Sequence, residues 1–334
     1  MPDDPLRIAL LGGVPSSLGG GGLEIQVERT AAALGRRGHE VFFAERESQP
    51  RAFDVLHAFS SGPDVSFYIS HWRRNNGVPL VYSPVVVVAP GFPEWRQRIA
   101  HRLPLPEFGP AARRAMLRRS AVAVALTEHE ARLLRRLAGT GSPPVVVVPN
   151  GVDGAPESQG NPPELPTGYV VMVGTVSRRK RQREVVDVLV RGDGPPPVVI
   201  GGFEGTPSER EEFAAAVAAA GGMWLGEVAD QGALRSAVRG AIALVHLSSA
   251  EGQSLAVLEA LAEGTPVVAS ELPSTSELAG LHPHHMRLVA GTHQLLAALA
   301  TLGERPAERP DVPTWDDVAV RLEGVYKDAG ARST

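Results

Sequence analysis

Short runs of apolar, mostly β-branched residues punctuate the chain, and within them apolar positions do not alternate with polar ones. In the first half they cover residues 7–11, 40–44, 54–59, 79–83, 121–126 and 145–148. In the second half they cover 169–174, 197–201, 223–226, 242–247, 265–269 and 286–289. Stretches of helical character lie between them. A strand with one wet face reads as alternation, whereas a strand covered by helices on both faces reads as a continuous apolar run. The pattern therefore predicts parallel sheets built from βαβ units, and its two series predict two doubly wound domains. Residues 151–168, GVDGAPESQGNPPELPTG, are rich in proline, glycine and polar side chains and predict the seam. A second loose stretch, 303–313, precedes a last predicted helix at 315–327.

Composition agrees. A length of 334 residues favours two domains at roughly 150 residues each. Hydrophobic residues make up 43% and charged residues 21%, enough apolar material for two cores. A formal net charge of −4 argues against a dedicated nucleic-acid binder. Cysteine is absent, so neither a disulfide framework nor a thiolate metal site is available, which fits a reducing cytoplasm. The acidic start Met-Pro-Asp-Asp does not read as a signal peptide, and no run approaches the roughly 20 apolar residues of a membrane span. The expectation is a cytoplasmic protein, at most peripheral to the inner face of the membrane.

The most informative chemistry lies after the strand at 242–247. Glu251 and Glu259 are separated by seven residues in EGQSLAVLE, a strand–loop–helix unit whose helix is expected to start near Gln253 or Ser254. Ligands bind parallel sheets beyond the carboxyl ends of the strands. Free amides at a helix start, here near Ser254 and Leu255, can hold a diphosphate. Glu259 sits at the edge of the apolar face, where a carboxylate is costly to bury without a partner such as a ribose hydroxyl. Glu251, in the loop, can reach the sugar end of the same ligand. Helical spacing puts the two backbones on the order of 10 Å apart, too far for a close glycosidase pair. Taken alone, the pair also fits a bland alternative, with Glu251 favouring the helix dipole and Glu259 meeting a surface arginine.

The string EGQSLAVLEALAEGTPVVAS resembles the spaced glutamate motif of retaining family 4 glycosyltransferases. Further segments agree in order: GGGGLEIQVERTAAALGRRGHEV resembles the family's glycine-rich loop and first helix, and DVLHAF its third strand. VVVVPNGVD resembles the hinge, and YVVMVGTVSRRKRQREVV the first strand and basic loop of the nucleotide-binding domain. The helix bearing Trp315 is similar to the closing helix that returns to the first domain. The resemblance implies the GT-B fold, an α/β architecture of two Rossmann-like domains with parallel sheets facing across a cleft. Residues 1–152, completed by 315–330, would be the acceptor domain and 153–314 the nucleotide-sugar domain. It implies a nucleotide-sugar donor, an acceptor that the sequence does not name, and hexose transfer with retention. Glu251 then contacts donor-sugar hydroxyls and Glu259 the ribose. Lys180 and Arg179 neutralise the diphosphate, and Gly21 and Gly22 approach it from the first domain. Gly226 to Val228 lie near the base, and Gln253, Ser254 and Leu255 complete the donor site. Fixed cations and amide dipoles suit the negative charge that grows on a departing diphosphate. No Asp-X-Asp motif stands in a suitable loop, and no metal or other cofactor is expected.

The family pattern is departed from in three places. Thr175 stands where an arginine is common, Gln253 and Ser254 replace an aromatic–glycine pair, and Val81-Tyr82-Ser83-Pro84 lacks the histidine that many members carry. Ser83, His57 and His71 are the candidates near that position on the acceptor side. Arginines outnumber glutamates over residues 93–136, near Phe92, Trp95, Leu103, Leu105 and Phe108, a candidate face for an anionic acceptor or membrane headgroups as well as an ordinary solvated surface. An NAD-dependent dehydrogenase is one rival reading, since Glu45 ends the second strand. The loop 12–22 is, however, too long for the compact G-x-G-x-x-G turn. A non-catalytic nucleotide-sugar binder and a GT-B epimerase are the others.

Overall fold

The computed structural model describes residues 4–12, 21–44, 52–60, 65, 77–86, 110–154, 164–303 and 305–331. His71, Glu45 and the aromatic residues of 92–108 lie outside them. The chain divides into two compact units, one of Met1–Gly151 with Pro313–Thr334 and one of Val152–Val312. It leaves the first unit at Gly151, where a Cβ would stand 2.5 Å from the carbonyl carbon of Thr314, so only glycine fits against the returning segment.

Among the described residues, the first unit holds six parallel strands: β1 (Arg7–Leu11), β2 (Glu40–Phe43), β3 (Val55–Phe59), β4 (Leu80–Ser83), β5 (Val122–Ala125) and β6 (Val145–Val147). Their order across the sheet is β2-β1-β3-β4-β5-β6. Helix α1 (Gly22–Arg36) follows β1, and α2 (Pro110–Arg119) and α3 (Glu128–Ala138) flank β5. The starts of α1 and α3 have chemical signatures. Glu24 accepts from the Gly21 amide at 2.8 Å, and the Thr127 hydroxyl accepts from the Glu130 amide at 3.1 Å. Part of the arginine-rich run is spent inside the unit: Arg118 donates to the Ala138 carbonyl and Arg135 to that of Val145.

The second unit holds β7 (Val170–Val173), β8 (Pro197–Ile200), β9 (Met223–Trp224), β10 (Ala243–His246), β11 (Val267–Ser270) and β12 (Met286–Val289). All neighbours are parallel, in the order β12-β11-β10-β7-β8-β9. The helices are α4 (Gln182–Arg191), α5 (Pro207–Ala219), α6 (Gln231–Gly240), α7 (Leu255–Ala262), α8 (Pro273–Leu281) and α9 (Leu295–Ala300). Val171, Val198 and Leu244 pack into a core on one face of the sheet; Val170, Met172, Val199 and Val245 pack into another on the opposite face. Burial on both faces is the physical reason the sequence shows continuous apolar runs here. After β9 the chain crosses back past β7, so β7 and β10 flank the switch point of the sheet. No helix among the described residues is long and apolar enough to cross a membrane.

The last helix, α10 (Trp315–Ala331), belongs to the first unit. Thr314 and Asp317 cap it reciprocally, the Thr314 amide donating to the Asp317 carboxylate at 2.8 Å and the Asp317 amide to the Thr314 hydroxyl at 3.2 Å. Along α1 it makes the pairs Arg36–Asp316 at 2.6 Å and Arg37–Glu323 at 2.5 Å, with His39 Nε2 2.9 Å from Glu323. Deeper in, His57 on β3 is fully buried, its Nδ1 2.9 Å from the Tyr326 hydroxyl and its Nε2 2.8 Å from the Ser83 hydroxyl. Burial pushes the imidazole down to about 3, so the ring is neutral and each nitrogen has one partner. Replacing Tyr326 by phenylalanine strands one buried ring nitrogen, and chemical denaturation should show the first unit losing about 1–2 kcal/mol. An unchanged midpoint would remove this contact from the account of how α10 is held.

Candidate functional site

The site grows from the carboxyl ends of β7 and β10. Beyond β7, Gly174 takes φ +113° and its amide donates to the Ile200 carbonyl at 2.8 Å. A Cβ at Gly174 would lie 2.1 Å from Lys180 Nζ, so the lysine folds back over the strand end through space that a side chain would occupy. The intervening loop is stapled by Gln182, which is 3% exposed. Its amide nitrogen donates to the carbonyls of Gly174 and Thr175 at 3.3 and 3.1 Å, and its carbonyl oxygen accepts from the Ser177 amide at 3.2 Å. The basic string 178–181 therefore lies in a turn that ends with Arg181 in the left-handed region, and α4 begins only at Gln182.

Beyond β10 the loop runs through Ser248, Ser249, Ala250 and Glu251 to Ser254, the residue before α7, whose hydroxyl makes no cap bond. The first amides of α7 consequently have no intrahelical partner and receive no cap from Ser254. Arg179 ties this loop to the one after β7. Its carbonyl accepts from the Ser249 amide at 2.8 Å and from the hydroxyls of Ser248 and Ser249 at 3.3 and 3.1 Å. Its guanidinium Nη1 donates to the Ala250 carbonyl at 3.0 Å and to Glu251 Oε1 at 2.8 Å.

Electrostatics sort the two cations. Arg179 is committed to Glu251. The Lys180 ammonium makes no hydrogen bond or ion pair among the described residues, and its pKa is lowered, first by burial and then by the charge of Arg179, against the opposing pull of Glu251. A mostly buried ammonium without a counter-ion is costly and suits an anionic ligand. At Glu251 burial favours the protonated form, but the neighbouring His246 imidazole, the Arg179 charge and the Ser248 hydroxyl outweigh it and hold the carboxyl at about 2.

The sequence-predicted residues divide accordingly. Glu251, Arg179, Lys180, Ser254 and Leu255 are gathered at the ends of β7 and β10, with Gln253 in the same loop. Glu259 is half-buried on α7, beside the core residues Val257, Leu258 and Ala260. Gly226 closes β9 with φ +66° and accepts from the Gly201 amide at 2.7 Å, while Val228 packs on the core. Gly21 and Gly22 start α1 in the first unit. His57 and Ser83 do come together, but at 0% and 3% exposure both are closed to a ligand, and the reading of them as acceptor contacts gives way to a structural clasp under α10. Gln182, His246 and Ser248 were not foreseen. Gln182 lies within the quoted basic string but was given no role there, His246 and Ser248 lie outside the glutamate string, and the strand bearing His246 reads only as apolar.

The depressed Glu251 carboxyl has a sign that can be checked. Its folded value of about 2 lies below the ordinary 4.5, so its contribution to stability is complete above about 4.5 and is lost as pH falls towards 2. Glu251→Gln should therefore flatten the acid side of the stability–pH curve relative to the parent protein. Two curves of equal slope in that window would contradict the ion pair.

Comparisons with known proteins agree with this fold. A family model described as Glycosyltransferase Family 4 matches residues 43–155, and one described as Glycosyl transferases group 1 matches residues 156–299. A search of curated proteins finds no match. Among solved structures, sucrose-phosphate synthase from Thermosynechococcus elongatus superposes with a TM-score of 0.72 at 17% identity, over 97% of this chain and 99% of that one. The catalytic domain of starch synthase IV from Arabidopsis thaliana, bound to ADP and acarbose, gives 0.70 at 10% identity over 98% and 100%. AviGT4, a glycosyltransferase involved in avilamycin A biosynthesis, gives 0.63 at 19% identity over 98% of each chain. At these identities the superpositions speak for the fold, and the family models speak for the family. With the two models meeting end to end at the seam between the two units, the chain belongs to the family 4 glycosyltransferases of the GT-B fold.

Proposed function

We propose that this glycosyltransferase moves a hexose-type sugar from a nucleotide diphosphate donor to an acceptor with retention of anomeric configuration. The observation that carries the reading is the unpartnered Lys180 ammonium at the end of β7, in the same strand-end site as the uncapped amides of α7. A diphosphate answers both needs, since it supplies the counter-charge that Lys180 lacks and the acceptors that the helix start lacks. Glu259 then accepts from ribose hydroxyls and Glu251 from a hydroxyl of the donor sugar. Val228 and Gly226 lie on the base side. A fold neighbour bound to ADP supports a nucleoside diphosphate as the class of ligand.

As the bond from the anomeric carbon to the diphosphate oxygen breaks, the electron pair goes to the leaving diphosphate. Lys180 and the α7 amides stabilise that charge where it develops, with no metal ion in the scheme. The acceptor hydroxyl attacks from the face the diphosphate leaves, and its proton passes to the departing phosphate oxygen. This route asks for no side-chain base, which accommodates the lack of a histidine after β4.

Binding and turnover separate the parts. Glu259→Ala should weaken nucleoside diphosphate binding about tenfold, the value of a lost hydrogen bond to a charged group, as read by calorimetry against UDP, ADP, GDP and dTDP. Lys180→Ala should lower turnover by about 10²–10³, as read by nucleoside diphosphate release from the sugar conjugates. Unchanged constants in both variants would remove the assignment. Tight binding without turnover of any conjugate would favour a non-catalytic nucleotide-sugar binder instead.

A further inference from the structure

One buried polar atom at the site has no hydrogen-bond partner among the described residues. His246 closes β10 at 5% exposure, and its Nε2 makes no hydrogen bond. It lies 3.3 Å from Glu251 Oε1, close enough to interact but too poorly aligned to bond. A buried imidazole nitrogen left this way carries a desolvation cost and calls for an explanation.

The explanation lies in how Glu251 is held. Oε1 receives the Arg179 guanidinium and the Ser248 hydroxyl, each at 2.8 Å, and faces His246 as well. Oε2 has no hydrogen-bond partner among the described residues. Ser274 reaches the Glu251 carbonyl at 3.4 Å and steadies the backbone beneath. The carboxylate is therefore gripped by one oxygen and offers the other.

We propose that His246 is a positioning residue: it backs Glu251 Oε1 and completes its hydrogen bond when Oε2 accepts from a hydroxyl of the donor sugar. A small rotation of the carboxylate is enough to align Nε2, because the distance is already short. The part of that cost that the misaligned contact leaves in the free protein is then recovered with a sugar in place. This makes His246 a discriminator between a nucleotide sugar and the bare nucleotide. The inference rests on the donor-binding reading above and deepens it at one residue.

The test compares affinities for a nucleoside diphosphate and its glucose conjugate, across the uridine, adenosine, guanosine and thymidine series, in four proteins. His246→Phe should leave diphosphate affinity within about twofold of the parent and reduce the preference for the conjugate about tenfold, one charged hydrogen bond's worth. His246→Gln places an amide N–H near the Nε2 position and should restore most of that preference. Ser248→Ala, which loosens the same oxygen without touching the strand, should repeat the His246→Phe pattern and covers the case in which the phenylalanine does not fold. A preference for the conjugate unchanged in His246→Phe, or in Ser248→Ala if only that variant folds, would overturn the role. So would equal loss in His246→Phe and His246→Gln. A parent protein that binds none of the diphosphates would instead overturn the donor-site reading, and the role of His246 with it.

Discussion

A carboxylate largely withdrawn from water, at the carboxyl ends of two neighbouring parallel strands, is the constraint from which the rest of the second domain's site follows. Glu251 can stay ionised there only if charge and hydrogen bonds repay what burial costs. Arg179 supplies the charge, and in doing so reaches from the loop after β7 to the loop after β10. The same residue's carbonyl is taken by Ser248 and Ser249. One ion pair thus fixes the relative position of the two loops that flank the switch point of the sheet. Lys180, next in sequence, is left as the uncommitted cation, lodged where Gly174 has no side chain.

The division of labour between these adjacent cations was not legible in the sequence. Both read as diphosphate ligands, because a string of basic residues before a helix gives no sign of which one turns towards an acid some seventy positions away. The fold itself was legible. The continuous apolar runs located the twelve strands of the described residues because most are covered on both faces, and their ends moved by a residue or two. Ile242, for example, donates its amide to Tyr169 but is 44% exposed and stays outside β10. The seam at Gly151 was visible as a cluster of turn residues. Its steric reason, the close passage of Thr314, depends on a contact between residues far apart along the chain.

The first domain teaches the complementary lesson. His57 and Ser83 were singled out because they carry chemistry near the end of a strand. Their spatial meeting was a fair expectation, but burial changes its meaning. With Tyr326 on one nitrogen and Ser83 on the other, the imidazole is satisfied, neutral and closed to solvent. It fastens α10 to the sheet from within, while Arg36, Arg37 and His39 engage its acids along α1. His246 is the opposite case: a residue hidden in an apolar run whose unpaired nitrogen becomes significant only when the loop beyond it has folded back.

The claim on which the account stands is that the strand ends of β7 and β10 hold a nucleotide diphosphate sugar. A backbone amide titration by nuclear magnetic resonance with UDP-, ADP-, GDP- and dTDP-glucose reads this position by position. The account predicts that at least one conjugate shifts the resonances of Gly174, Lys180, Ser254 and Leu255 together. Titrations in which no conjugate moves those four signals, or in which every shift falls away from these loops, would contradict it.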